Sequence, residues 1–282
     1  VSSFTKSCLV FALVWGALTA HAESPAGYPL AISHRACMLE CPENTVSAIA
    51  WAAKTGADFI EIDLRASRDG ELVVIHDKTV KRTTNGLGRV KNLDLKELVS
   101  LDAGKGERIP TMDEAFAATR KTQLGLLLDL KDVKGIDPEV VYAALVRHNL
   151  QQRVVIGARS VDQLIAFKAL DPDLTTMAFT KRLGLIPRYI DNGVDIVRLW
   201  ARWVKAEPKL ISQIRGAGRQ VWVTTGMLRG PELASLIKSD VQGLITDYPG
   251  DVLKHRQQAV RAASAAIGGY SQQAVSNEVT TR

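Results

Sequence analysis

Three strand-like runs of this sequence carry residues of types that do chemistry. LAISHR (30–35) ends in His34-Arg35, FIEIDLR (59–65) carries Glu61 and Asp63, and LGLLLDLK (124–131) carries Asp129 and Lys131. In a strand, residues i and i+2 share a face, so Glu61 and Asp63 point the same way, as do Asp129 and Lys131. Ile60, Ile62, Leu64, Leu128 and Leu130 take the opposite face. Three carboxylates gathered at one place repel one another strongly unless a cation sits among them. Hard oxygen donors suit Mg²⁺ or Ca²⁺ better than zinc. Glu61, Asp63 and Asp129 are therefore candidate ligands of a divalent cation.

Two of the 5 histidines belong with this group. His34 ends the first run. His76 closes LVVIHD (72–77), which follows the second run after a few residues that include Asp69-Gly70. No crossover helix fits there, so the two runs are antiparallel, and Asp-Gly is a hairpin signal. A two-residue turn at 69–70 pairs residue 68 with 71, and hence Asp63 with His76. Two imidazoles near a metal can act as base and acid in a displacement at phosphorus. Their order is left open by the sequence. Arg35 and Lys131 supply fixed positive charge for phosphate oxygens. Pro42 followed by Glu43-Asn44-Thr45 reads as a helix start with acid in the first turn, and a second role for Glu43 at the site is open.

Such residues need a scaffold that brings strand ends together. Beyond the three runs above come RVVIGA (153–158), LTTMAF (174–179), DIVRLW (195–200), QVWVTT (220–225) and GLITDYP (243–249), with helix-like segments between them. Eight strands alternating with helices predict an α/β fold, a (β/α)8 TIM-type barrel whose site lies at the C-terminal strand ends. The hairpin and a long excursion over 78–110, with few helix signals until Thr111, follow the second strand. A doubly wound open sheet is the alternative. The strand count favours the barrel, and the sequence has no strand–GxGxxG–helix unit.

The chain has 282 residues, 46% of them hydrophobic, and a net charge of +6 from 36 Lys+Arg against 30 Asp+Glu. That composition is globular. No Lys/Arg run concentrates the charge, so a nucleic-acid partner is not expected; a mild positive bias can help draw in a small anionic substrate. Residues 1–22 carry Lys6, an apolar stretch from Cys8 to Ala20 and Ala20-His21-Ala22, the pattern of a cleaved signal peptide. The expected organisation is a signal peptide over 1–22, a barrel domain over 23–262 and a flexible tail over 263–282. The mature protein is expected to be periplasmic or secreted, without stable membrane insertion. Cys37 and Cys41, in the loop after the first strand, can form a disulfide in that compartment or remain two thiols. Nothing in the sequence decides an oligomeric state.

HRACMLECPENT, GADFIEIDLRASRDGELVVIHD, the following RTTNGLG and LDAG, and the late GLITDYP resemble the glycerophosphodiester phosphodiesterase family. The resemblance is dense over 32–131 and thinner thereafter. It implies a barrel enzyme that hydrolyses glycerophosphodiesters to glycerol 3-phosphate and an alcohol, with a divalent cation. It also implies that His34 and His76 are the acid–base pair, Glu61, Asp63 and Asp129 the metal carboxylates, and Arg35 and Lys131 the phosphate-binding cations. Three positions depart from the family pattern. Ala36 stands for the usual Gly after His-Arg, Asp129 for the usual Glu, and the late strand end reads VTTGM (223–227). The shorter Asp129 is expected to reach a cation through a water. Two alternatives compete: a lysophospholipase-D-like or sphingomyelinase-D-like phosphodiesterase, with Leu199, Trp200 and Trp203 as an apolar rim, and a non-catalytic phosphate-binding relative.

Overall fold

The computed structural model describes residues 27–261; the signal peptide expected over 1–22 and the tail expected over 263–282 lie outside them. The strands are β1 (Leu30–Ser33), β2 (Phe59–Ala66), β3 (Leu72–Val74), β4 (Gly125–Leu130), β5 (Val154–Ala158), β6 (Thr175–Ala178), β7 (Ile196–Trp200), β8 (Gln220–Gly226) and β9 (Gly243–Thr246). All but β3 run parallel, in the order β1-β9-β8-β7-β6-β5-β4-β2, and β1 pairs with β2 as well as with β9, so the ring is closed. This is the eight-stranded barrel expected from the sequence. Helices α1 (Val46–Thr55), α2 (Leu95–Val99), α3 (Met112–Arg120), α4 (Pro138–Arg147), α5 (Val161–Leu170), α6 (Ile186–Asp191), α7 (Ala201–Ala206), α8 (Lys209–Gly216) and α9 (Gly230–Ile237) connect the strands. A further helical run occupies 249–261.

Strand alternation divides the apolar residues between two cores. Ile60, Ile62, Leu64, Leu126, Leu128 and Leu130 face outward and pack with α1, α3 and α4. Leu30, Ile32, Leu127, Val155, Met177, Ile196, Trp222 and Ile245 face inward and fill the barrel. Gly243 makes room for the largest of these: a Cβ there would lie 2.7 Å from the Trp222 ring. The plug closes the barrel interior, so the polar residues further along each strand gather at the open end.

The hairpin differs from expectation in register. Its loop has three residues, not two: Ser67 N donates to Glu71 O at 2.9 Å, and Gly70 takes the left-handed region at φ 85°. Leu64 then pairs with Val74, and Ile75 N donates to Asp63 O at 2.9 Å, so Ile75 rather than His76 stands opposite Asp63. The Asp69 carboxylate explains the extra residue. It accepts from Ser67 Oγ at 2.5 Å and from Leu95 N at 3.1 Å, tying the turn to the start of α2. A three-residue loop with glycine in the left-handed position is the next commonest hairpin solution.

The excursion after β3 has its own core of Val73, Ile75, Val80, Val90, Leu98, Ala103 and Ile109. It includes α2, a helix the sequence signals only through Asp94 and Glu97, which form a capping box. That small core holds His76 against the barrel mouth.

Candidate active site

The register of β1 on β9 pairs Ser33 with Thr246, which sets His34 beside Asp247. His34 Nδ1 lies 2.6 Å from Asp247 Oδ1. Burial would lower the pKa of His34, but the Asp247 hydrogen bond and the Glu61 charge outweigh it and hold the ring above the ordinary value. His76 Nδ1 lies 2.7 Å from Asp77 Oδ1. Burial pulls its pKa below the ordinary value despite the nearby Asp63, and the Lys131 charge adds to that pull. In both pairs an aspartate engages Nδ1, leaving Nε2 for proton transfer. Arg65 fixes the second pair from below: its Nε and NH2 donate to the His76 carbonyl at 2.9 and 2.8 Å.

The carboxylates converge as expected. Asp63 pairs in register with Asp129 on the neighbouring strand, and Glu61, Asp63 and Asp129 each offer an oxygen within 4.8 Å of the others. All three are buried. Arg35 N donates to Glu61 Oε2 at 2.8 Å. Asn44, at φ 60°, donates from Nδ2 to Asp63 Oδ2 at 2.7 Å and accepts from Asp63 N at 3.2 Å. Lys131 Nζ lies 2.5 Å from Asp63 Oδ1 and also contacts Asp129. Burial alone would raise Asp63, but the Lys131 ammonium holds it well below the carboxylate range. Glu61 goes the other way: burial and the Asp63 charge push it up to about 8.

Glu61 and Asp63 fit a hard divalent cation. They are buried oxygen donors on one strand face, and the raised pKa of Glu61 marks a negative charge that the surrounding side chains do not balance. Asp129 is in a different position. Arg159 NH1 and NH2 donate to its two oxygens at 3.0 and 3.2 Å, and Lys131 touches one of them. With both oxygens engaged, Asp129 reaches a cation through water or by releasing those partners.

Glu43 lies before the first turn of α1 and pairs with two arginines. Thr45 caps α1, its Oγ1 accepting from Ala48 N at 3.2 Å, and the first turn of α1 contains no acid. Glu43 accepts from Arg35 NH1 at 3.0 Å and from Arg82 at 2.7 and 2.8 Å, while Arg82 Nε donates to Asp77 at 2.7 Å. This chain links the loop after β1 to the excursion and braces Arg35 and the His76 pair together. Arg35 Nε is buried without a hydrogen-bond partner and lies 3.9 Å from Asp63 Oδ2.

Ala36 occupies the left-handed region at φ 61° and is fully buried. Relief of that conformation by glycine is worth roughly 1–2 kcal/mol. Against it stand about 0.8 kcal/mol for the buried methyl and about 0.4–1 kcal/mol for the freer unfolded chain. Ala36→Gly is therefore expected to change unfolding free energy by less than about 1 kcal/mol, read by urea denaturation. A larger gain would show that strain dominates at this position.

Cys37 and Cys41 are free thiols, not a disulfide, with Cys41 N donating to Cys37 Sγ at 3.0 Å. Burial and the neighbouring Cys37 push the Cys41 thiol up to about 11. The folded protein is expected to show two alkylatable thiols by mass spectrometry after unfolding without reductant; a mass lower by two hydrogens and no alkylation would contradict this.

Arg65, Asn44, Asp77, Arg82, Arg159, Arg198 and Asp247 also lie at the mouth, and none of them was singled out from the sequence. For four of them a signal existed. The inward rows 61-63-65, 157-159, 196-198-200 and 245-247 follow from the same alternation that located Glu61 and Asp63. Asn44 lies in a loop, where no period marks it. The rim residues also differ from expectation. Leu199 is fully buried against the helices, Trp203 packs partly on that same outer core, and Trp200 lies between Arg198 and Arg202. They form no apolar rim.

A closed parallel barrel whose mouth joins two His–Asp pairs, three acids and fixed cations defines a barrel hydrolase of anionic substrates. The chain belongs to the glycerophosphoryl diester phosphodiesterase family, whose sequence pattern it matches over residues 34–251, and is a phosphoric diester hydrolase. It is 33% identical over 232 residues to a glycerophosphodiester phosphodiesterase of Caldanaerobacter subterraneus subsp. tengcongensis, covering 78% of this chain and 94% of that protein. The glycerophosphodiester phosphodiesterase crystal structure from Agrobacterium tumefaciens is similar, with a TM-score of 0.68 and 29% identity over 79% of this chain and 98% of the other. So is an Oleispira antarctica phosphodiesterase in complex with the product sn-glycerol-3-phosphate, with a TM-score of 0.70 and 27% identity over 80% and 96%.

Proposed function

We propose that the protein is an exported glycerophosphodiester phosphodiesterase that releases glycerol 3-phosphate and an alcohol by acid–base catalysis with His34 and His76. The observation that carries this reading is the placement of the His34–Asp247 and His76–Asp77 pairs around Glu61, Asp63, Arg35 and Lys131. A Mg²⁺ or Ca²⁺ ion held by Glu61 and Asp63, with Asp129 behind an intervening water, would supply positive charge to the phosphoryl oxygens. Arg35 and Lys131 hold those oxygens from the protein side. His76, kept neutral, takes the proton of the attacking hydroxyl: water, which gives glycerol 3-phosphate directly, or the glycerol 2-hydroxyl, which gives a cyclic phosphodiester that water then opens to glycerol 3-phosphate with the two rings exchanging roles. His34, held above its ordinary pKa by Asp247, gives a proton to the departing alkoxide. Environments that separate two pKa values assign acid and base in this way.

Product analysis tests the reading. Glycerophosphocholine should yield glycerol 3-phosphate, and chelation should stop it. Choline release from lysophosphatidylcholine with no action on glycerophosphocholine would favour the lysophospholipase-D-like alternative, and absence of both activities would favour a binding protein. The cationic surroundings of Trp200 speak for the water-soluble substrate. Among the described residues no helix is long and apolar enough to cross a membrane. Export rests on residues 1–22; N-terminal sequencing of the mature protein should begin at Glu23, and a retained leader would contradict it.

Asp129→Ala is expected to weaken cation binding, while Asp129→Glu should be tolerated. Equal affinity in Asp129→Ala, measured by metal titration, would leave the cation to β2 alone. Asp247→Asn should bring the alkaline limb of kcat/KM to lower pH, because it replaces the charged acceptor that raises His34 with a neutral one. An unmoved limb would separate that limb from His34.

A further inference from the structure

Arg198 continues the inward row of β7, in register with Trp222 of the barrel plug, and is only 4% exposed. Its Nε and NH1 are buried and have no hydrogen-bond partner. Arg159, by contrast, is engaged by Asp129. A buried guanidinium with unused donors is costly unless something pairs with it. Burial pulls its pKa down to about 10, so it remains charged at neutral pH.

The neighbours of Arg198 define what it can pair with. Its guanidinium lies 4.0 Å from the Trp200 ring centroid and 5.0 Å from that of Phe179. Arg202 lies 5.0 Å from Trp200, and Arg159 lies 5.7 Å from Phe179. Two aromatic rings at a barrel mouth are the usual means of holding a quaternary ammonium. Here each ring is already engaged by two guanidinium groups. The loop after β6 adds exposed Lys181 and Arg182, and neither 174–190 nor 196–206 contains an acid. β7 stands four strands from β2 whichever way the ring is followed. The mouth therefore carries Glu61 and Asp63 on one side and Arg198, Arg202, Lys181 and Arg182 across from them, with Asp129, held by Arg159, the acid whose charge acts most on Arg198.

We propose that Arg198 is a specificity residue that binds an anionic group on the alcohol portion of the substrate, so that the enzyme favours glycerophosphodiesters of carboxylate- or phosphate-bearing alcohols over those of choline. This rests on the glycerophosphodiesterase reading above. A phosphodiester whose phosphorus sits by Glu61 and Asp63 extends one arm toward β7, where an anionic end meets a buried, unpaired guanidinium. A charge-assisted bidentate contact of that kind discriminates strongly, and a cationic end would meet like charge.

The test uses the full chain with its divalent cation. Glycerol 3-phosphate release is followed from glycerophosphoserine, glycerophosphoinositol 4-phosphate, glycerophosphoglycerol and glycerophosphocholine. At least one of the two anionic-headed substrates should exceed glycerophosphocholine in kcat/KM by about tenfold or more, and which one does so separates carboxylate from phosphate. Arg198→Gln should lower that ratio by about tenfold, mainly through KM, and Arg198→Lys should retain part of it. If the Gln variant does not fold, the parent's ranking and the Lys variant decide. A parent that prefers glycerophosphocholine, or a Gln variant that slows all four substrates equally, would overturn the inference. Failure to release glycerol 3-phosphate from any of them would instead remove the parent reading, and this inference with it.

Discussion

Replacing His76 by alanine is expected to lower kcat on glycerophosphocholine by about 10²–10⁴-fold. The ring is held by Asp77 at Nδ1 and by Arg65 at its backbone carbonyl, so its Nε2 is a positioned proton acceptor rather than a mobile one. His34→Ala should cost a comparable factor, and the two losses are distinguishable by pH. A base works unprotonated: with the pKa of His76 below its ordinary value, the rate falls as acid protonates it, and His76→Ala removes that acid limb. An acid works protonated: with the pKa of His34 above its ordinary value, the rate falls as alkali deprotonates it, and His34→Ala removes the alkaline limb. Leaving-group dependence gives a second check. Loss of an acid hurts alkyl esters far more than aryl esters, which need little protonation. If His76→Ala kept near-normal kcat on alkyl substrates, His76 would be neither acid nor base.

Removing the cation should have an effect of the same order. Chelation is expected to abolish turnover, and Mg²⁺ or Ca²⁺ to restore it. Glu61→Gln should lower cation affinity by about 10²-fold or more, since even supporting groups behind a ligand are worth about 10–100-fold. The fold should tolerate this change. A neutral Gln relieves the repulsion with Asp63 that raises Glu61, and the Arg35 backbone N–H can still donate to its carbonyl oxygen. Asp63→Asn is a harsher change because it leaves the buried Lys131 with Asp129 alone. Calorimetric metal titration of Glu61→Gln therefore reads the site without the confounding loss of structure. Full turnover in thoroughly metal-free protein would contradict the cation assignment.

The barrel and most of its site were legible in the sequence because strand alternation is a local rule. Once FIEIDLR and LGLLLDLK are strands, Glu61, Asp63 and Asp129 must face together, the strand end and the hairpin bring His34 and His76 near them, and the resemblance names those two as the acid–base pair. The hairpin was legible in kind but not in register. Whether its loop has two residues or three depends on Asp69 reaching Leu95 N, a contact between segments that are distant in sequence. Glu43 shows the same limit. Beside Pro42 it reads locally as a helix start, yet it is taken up by Arg35 and Arg82, and Arg82 comes from the excursion.

What the sequence alone determined about this protein is therefore its strand and helix order, the inward face of each strand, and the set of residues able to do chemistry. Those properties follow from composition and period along one stretch of chain. Only the tertiary structure decided how the charges are paired. It set Asp247 beside His34 and Arg159 on Asp129, left Arg198 without a hydrogen-bond partner at Nε and NH1, and set the half-buried Trp200 against Arg198 and Arg202. The physical reason is closure of the barrel. Which strand ends become neighbours depends on a ring completed only when β1 meets β9, and the strength of each charge depends on the burial and the partners that this ring imposes.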